Sequence, residues 1–409
     1  MPNLLQNKQL IGKEIKWLSS LRKAGRDAFV MPTPKSEYWR YTKLYDLNNF
    51  DYIMGVDFCK IKPVNVALDG YIVYFLNGQF APQYSNLPQG VEVMPLIEAI
   101  MSVSETKKYL CKIADAQKHP FAALNQTYLN EGVYLRVDSN IELKKPIILV
   151  HHTHNECENF FYNLHNLILV GENSQVTFFE YYTYSGQIKS RYFGNHVNEI
   201  YLNPSSCLNH YKFQDDAYYA VHIALSCADV RANASYNNFC FQKGANLGRN
   251  EVCVTLSEEG AGTNVDAGYK MSGWATLDTT TNIEHKVAGT QSSQLIKGVV
   301  DGEAKGVFQG KIHIHPNAIQ TEGHQLHKAL LLSDSAEVDC KPELEIYADD
   351  VKCSHGAATG ELDKEQLFYM LSRGISEDDA RKMLVEAFLD DALEKIPNIV
   401  IREWFKSQI

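Results

Sequence analysis

Residues 342–374 read PELEIYADDVKCSHGAATGELDKEQLFYMLSRG, and the rest of the chain is organised around this run. LEIY alternates apolar and polar side chains, the period of a half-buried strand. Cys353 and His355 are two residues apart, which on a strand places thiol and imidazole on one face. Gly356 and Gly360 are expected to bracket a tight passage. Asp363, three residues before Gln366, fits the N-cap of a helix. The stretch therefore predicts a β-rich core ending and a helical tail beginning, with a thiol and an imidazole at the junction.

Upstream, residues 131–359 form an almost unbroken series of short β-rich runs punctuated by Gly, Asn and Ser, among them PIILVHHTH, FYNLHNLILVGENSQVTFFEYYTY and KGVVDGEAKGVFQGKIHIHPNA. So many strands without a helix of ordinary length leave stacked sandwiches, a large barrel or propeller, or a β-solenoid. Self-similarity at sandwich length is missing, and so is a propeller signature. Small residues and Asn at the turns suit stacked rungs, where backbones approach closely. A parallel β-helix is the expected core, although no clean repeat marks its rungs.

Downstream, Ser376 and Asp379 form a capping-box pattern. Ala380, Met383, Leu384, Ala387, Phe388 and Leu393 mark one apolar helical face. Pro397 ends that helix, and IVIREWF closes the chain. These helices pack either on their own chain or on a partner protein. Residues 1–130 read as a mixed, mostly helical unit. Leu5, Leu10, Ile15, Leu18 and Leu21 give a loose helical face, and YIVYFLNGQF carries an Asn77-Gly78 hairpin signal. LPQGVEVMPL reads as a second strand, and residues 96–130 return to helix. In PTPKSEYWRYT, Tyr38, Trp39 and Tyr41 are expected to plug one end of a core, a binding role being the alternative. The organisation is thus mainly β, a parallel β-helix (131–359) between an N-terminal mixed, mostly helical region (1–130) and a C-terminal helical region (360–409).

The chain has 409 residues, 45% of them apolar, enough for a large core, and a formal charge of −10 from 39 basic and 49 acidic side chains. That balance argues against a nucleic-acid partner, which would select a basic surface. Nine cysteines in no framework spacing read as reduced thiols. The opening residues contain no apolar run of signal length, and no stretch reaches the length of a membrane span. A cytoplasmic location and no membrane association are expected.

The chain has no phosphate-binding loop, no dinucleotide-binding glycine motif, no Cys-x-x-Cys pair and no nucleophile elbow, so it is read as not an enzyme. Histidines cluster at His151, His152 and His154, at His313 and His315, and at His324 and His327. Each group is either surface or structural imidazole or part of a site, and none has a metal-site spacing by itself. Cys353 and His355 are ligand types that iron, zinc and copper accept. Two ligands are too few for a closed site, so others must come from elsewhere or from another chain. The alternative is a buried small thiol beside a satisfied histidine.

The run from Pro342 onward closely resembles the C-terminal signature of the SufB/SufD family of iron–sulfur cluster assembly proteins, with the CSHGA and FYMLSRGI segments matching its SufD branch. GVFQGKIHIHPNAIQTEGHQ and PTPKSEYWRYTKLYDL resemble two further family elements. The resemblance implies a right-handed parallel β-helix between helical regions. It also implies a heterodimer with a SufB-like subunit through the β-helix and a SufC-like ATPase docked by the C-terminal helices. His355 becomes a candidate ligand for iron or a nascent iron–sulfur cluster, with Cys353 beside it; the cluster is held transiently and no cofactor permanently. An isolated chain has the same sheet end free to meet a second copy. The sequence departs from the family at Thr321–His327, where His324 and His327 are extra, and in carrying only His285 where relatives often have more histidines. The rival readings are a β-helix carbohydrate-active enzyme and a structural metal-binding protein.

Overall fold

A computed structural model describes residues 4–6, 10–54, 61–86, 91–155, 159–186 and 191–409. Strands alternate between two sheets, one of eleven strands and one of ten. From Phe160–Val170 to Lys352–Gly360, successive strands go to opposite sheets, so every strand hydrogen-bonds to the one two places away. All of these pairings are parallel and keep a constant register, interrupted between Gly262–Met271 and Gln291–Val300 at Val265 and Asp266, where Leu295 N donates to Asp266 Oδ1 instead. Fourteen strands, seven in each sheet, therefore stack into the expected β-solenoid.

The rungs are built on corners rather than on a visible sequence repeat. Asn140, Asn173, Ser205, Asn233, Gly260, Gly289, Gln320 and Asp350 all have φ between 53° and 74°. Their intervals run from 27 to 33 residues. Left-handed backbone suits Gly and Asn and is costly for bulkier side chains. The corners also bond to one another: Asn140 donates its N–H to Glu172 O, Asn173 to Pro204 O, Ser205 to Ala232 O and Gln320 to Asp350 O. Side-chain ladders add to this, as Asn264 Nδ2 donates to Asn237 Oδ1 (2.8 Å) and Asn237 Nδ2 to Asn209 Oδ1 (3.1 Å).

The space between the sheets is filled by Val, Ile, Leu and aromatic side chains, among them Leu164, Ile168, Phe178, Val252, Val254 and Ile283. At 25 cal/mol per Å² such burial is the dominant stabilising term. Gly298 marks how tightly it is packed: a Cβ there would lie 1.9 Å from the Tyr269 ring.

Several local expectations are met. Tyr71–Leu76 and Gln79–Phe80 form the hairpin over Asn77 and Gly78, and Val91–Pro95 is a strand, with residues 87–90 of that prediction outside the described ones. Asp363 Oδ1 accepts from Glu365 N and Gln366 N at the start of helix Lys364–Ser372, and Ser376 Oγ accepts from Asp379 N at the start of Glu377–Leu393.

Others are corrected. The first helix is Lys16–Ala28, and Leu5 falls in the short strand Leu4–Gln6, its side chain outside the described residues. Residues 96–109 form two short helices, Leu96–Ser102 and Thr106–Tyr109. Gly356 and Gly360 bracket no turn, because strand Lys352–Gly360 runs through both; pairing with strand Glu322–Leu331 holds it extended. The buried stripe of helix Glu377–Leu393 is Ala380, Val385, Leu389, Ala392 and Leu393, whereas Met383 is exposed. Trp39 covers the outer side of the eleven-stranded sheet, not an end: it packs against Phe121 and lies 4.2 Å from the buried Arg249 guanidinium.

Candidate functional site at the open end of the solenoid

The two sheets end in strands Glu337–Ile346 and Lys352–Gly360, and among the described residues no further strand pairs with either. Their outer edges present unpaired backbone donors and acceptors, a template for another chain. Side chains on these strands are half-buried or exposed, in contrast to the buried strands behind them.

Cys353 and His355 lie on that last strand. Their register partners are Gly323 and Gln325, both buried between the sheets. Alternation puts Cys353, His355 and Ala357 on the same inward column. Cys353 is part-buried against Ile312, Ile314 and Ala318, while His355 is exposed because no rung covers it. Burial pushes the Cys353 thiol above its ordinary range, opposed by the Gly323 backbone. A thiol so placed is protonated at neutral pH and becomes a ligand only when a metal displaces its proton.

Sequence reading missed Cys340. It packs with Val338 on the inward side of strand Glu337–Ile346, opposite the Cys353 strand. The alternation of VDCKPELEI was the available signal, since it sets Val338, Cys340 and Leu344 on one face.

The other histidines divide by location. His151 is stacked on Tyr182 inside the solenoid, at a centroid distance of 4.3 Å. His152 contacts Tyr74 Oη (2.8 Å) and Ser185 Oγ (2.7 Å), and His154 contacts the same Ser185 Oγ (2.8 Å). His313 faces Glu345 at 2.8 Å, with the tilted His315 ring 4.4 Å away. His324 contacts Ser354 Oγ (2.8 Å). His327 is buried against Tyr269 Oη (2.9 Å) and Phe308. His152, His154, His313, His324 and His327 thus each meet a polar partner on their own chain, whereas both ring nitrogens of His151 are buried without a hydrogen-bond partner among the described residues. The spacing did not bring His324 and His327 together, because they point to opposite faces of one strand.

The C-terminal helices fold back onto the outer face of the ten-stranded sheet. Trp404 meets Phe179, Tyr181 and Phe213 at 5.1, 5.2 and 5.3 Å between ring centroids. Lys297 reaches Asp391 and donates to Phe388 O. Helix Lys364–Ser372 differs: none of its residues is buried, and Phe368 and Tyr369 are 72% and 59% exposed. A cleft of about 440 Å³ runs beside it, lined in part by Leu331, Leu332, Leu362 and Leu367. Among the described residues, no helix is long and apolar enough to cross a membrane.

Comparison with known proteins completes the picture. Residues 152–388 match the family model described as SUF system FeS cluster assembly, SufBD core domain, and residues 4–149 match the SufBD protein N-terminal region. A Synechocystis protein named iron–sulfur cluster assembly SufBD family protein is 30% identical over 388 residues, covering 90% of this chain and 84% of its own. The iron–sulfur cluster assembly protein SufD of Escherichia coli is 29% identical, covering 90% of this chain and 85% of its own. That of Bacillus subtilis is 26% identical over 94% of this chain and 91% of its own.

Proposed function

The chain belongs to the SufBD family of iron–sulfur cluster assembly proteins, and from that premise we propose that it is a non-catalytic scaffold subunit that holds half of a cluster-building site. The observation that carries the reading is the position of Cys353 and His355 on the inward column of an uncovered last strand. A SufB-like subunit meets this end, supplies the missing ligands and covers the strand edges. Iron or a nascent iron–sulfur cluster is the cargo, held across the interface by His355 and Cys353. Burial of the pair by the partner excludes water from the metal–thiolate bond, which forms as the metal displaces the Cys353 proton.

A SufC-like ATPase docks at the C-terminal helices, where Phe368 and Tyr369 offer an exposed aromatic face. Because the following helices are anchored to the sheet by Lys297 and Trp404, a displacement there is passed to the solenoid rather than lost in a free tail. The family does not support the polysaccharide-processing alternative, and the partners found for the histidines weaken the structural-metal one.

Co-expression with SufB-like and SufC-like partners tests the proposal. The expected result is a stable complex that accumulates iron and acid-labile sulfide under cluster-building conditions. A chain that enters no such complex, or a complex whose iron content is unchanged when both Cys353 and His355 are replaced, overturns it.

A further inference from the structure

A second thiol–imidazole group lies on the flank of the solenoid, away from its open end. Strands Val221–Val230 and Leu247–Leu256 are neighbours, and Cys227 and Cys253 are register partners. Both point to the outer side, where Cys227 packs beneath Ala114 and Ala122 and Cys253 lies against the same cluster. His119, the residue preceding helix Pro120–Thr127, leans over them. Its Nδ1 is 2.9 Å from Glu251 Oε1, and its Nε2 is 4.0 Å from Cys253 Sγ. One ring nitrogen is thus held by a carboxylate, and the other is aimed at a thiol.

A similar triad in the same region is only structural. Glu199, near Cys111 and His165, accepts from Lys112 N, Ile113 N and Ala114 N at 2.7 to 3.1 Å and faces His165 at 2.9 Å. Its lone pairs are consumed in fastening a loop. At Cys253 the ligand atoms of His119, Glu251 and Cys253 all lie within 4.8 Å of one another. Although Glu251 is also paired with Arg249 (3.3 Å), no backbone N–H groups among the described residues are fastened to it as they are to Glu199. His119 and Glu251 also border a cleft of about 150 Å³ whose lining includes Lys118, Thr281 and Asn282, with the two thiols set behind them. Asn282 Oδ1 there is buried with no hydrogen-bond partner.

We propose that Cys253 and His119 Nε2, joined by Cys227 on the neighbouring strand as the ion draws its thiol in, bind a thiophilic divalent cation of the zinc or ferrous type, with the remaining position on the His119 side, toward this cleft. Two sulfurs and one nitrogen with a vacant position is a ligand set that such ions accept. Glu251 orients the imidazole through Nδ1, the arrangement found behind metal-bound histidines. Ligand nitrogen and sulfur of a tetrahedral zinc site stand roughly 3.5 Å apart, so the observed 4.0 Å closes with a small ring movement. Binding displaces the thiol protons. The site shares no ligand with Cys353 and His355, so it stands or falls independently of the cluster-building role.

Anaerobic titration of the full chain carrying Cys353→Ser and His355→Ala with Co²⁺ tests the assignment. One equivalent is expected to bind with thiolate-to-cobalt charge-transfer absorption, lost in Cys253→Ser. Glu251→Gln is expected to keep the band and weaken binding by about 10–100-fold. In parallel, Zn²⁺ should shield Cys227 and Cys253 of the unaltered chain from alkylation, as located by peptide mass mapping, a readout that does not depend on a variant folding. The proposal is overturned by the absence of a thiolate band, by a band that survives Cys253→Ser, or by alkylation of both thiols at an undiminished rate.

Discussion

Gln325 and His355 are register partners on adjacent strands, yet Gln325 is 3% exposed while His355 lies open to solvent. The difference is one rung: Gln325 is covered by His355, and His355 is covered by nothing among the described residues. If a partner completes the stack, His355→Ala leaves the fold intact and removes a ligand. The expected outcome is an assembled complex with normal subunit ratio and at least about tenfold less bound iron. Iron and sulfide analysis of the purified complex checks it.

The tail helix Lys364–Ser372 makes a separate prediction. Since none of its residues is buried, Phe368→Ser with Tyr369→Ser should change stability by no more than about 0.5 kcal/mol. Capture of the ATPase in a pull-down should nevertheless be lost. Trp404→Ala should do the reverse at first: it opens a cavity against Phe179 and Phe213 and costs about 3–5 kcal/mol. For the same reason, truncation from Ser376 exposes an aromatic sheet face, and point variants are the cleaner probe of docking.

The β-solenoid was legible from the density of short strands, but its rungs were not. The corner position needs only a residue that tolerates left-handed backbone, and Asn, Ser, Gly, Gln and Asp all serve. With intervals varying from 27 to 33 residues, no fixed period survives in the sequence. Cys353 and His355 were legible because their spacing matches the strand period. The flank site was not, since its ligands come from positions 119, 227 and 253, which only stacking brings together. Glu251-Val-Cys253 did carry a same-face signal, a carboxylate and a thiol two residues apart. The tail face was misplaced because Met383, apolar by type, sits one position away from the line that meets the sheet.

Buried neutral histidines predict acid lability. Burial lowers both His285 and His327 from 6.5 to about 4. Their contacts are uncharged, Thr290 and Ser292 for the first and Tyr269 for the second. As pH falls below 6.5 the unfolded chain takes up protons that the folded chain refuses, so stability is full above that value and is lost progressively down to about pH 4. Each ring contributes up to about 3 kcal/mol to the loss. Urea midpoints measured from pH 7 to 4 should fall, and His327→Gln should flatten the slope relative to the unaltered chain. An unchanged slope would show that the ring is protonated in the folded state.

Arg249 and Asp278 form an ion pair in which both side chains are at most 1% exposed. Arg249 also donates to Tyr38 O (3.0 Å) and lies over the Trp39 ring; Asp278 accepts from Thr280 Oγ1 (2.9 Å) and from Thr42. The pair therefore clamps the aromatic segment to the sheet. Taking one charge away leaves the other buried without compensation, which costs about 3–5 kcal/mol. Arg249→Met should thus destabilise by that amount and blue-shift nothing, instead exposing Trp39 and shifting its emission to the red. Arg249→Met combined with Asp278→Leu should recover much of the loss, because no unpaired ion is then left buried at that pair, and Glu251, which also meets Arg249, keeps His119 as its partner. Denaturant titration of the unaltered chain, the two single variants Arg249→Met and Asp278→Leu, and the double variant measures the coupling. If the double variant is as unstable as the sum of the single ones, the two residues act separately and the clamp is wrong.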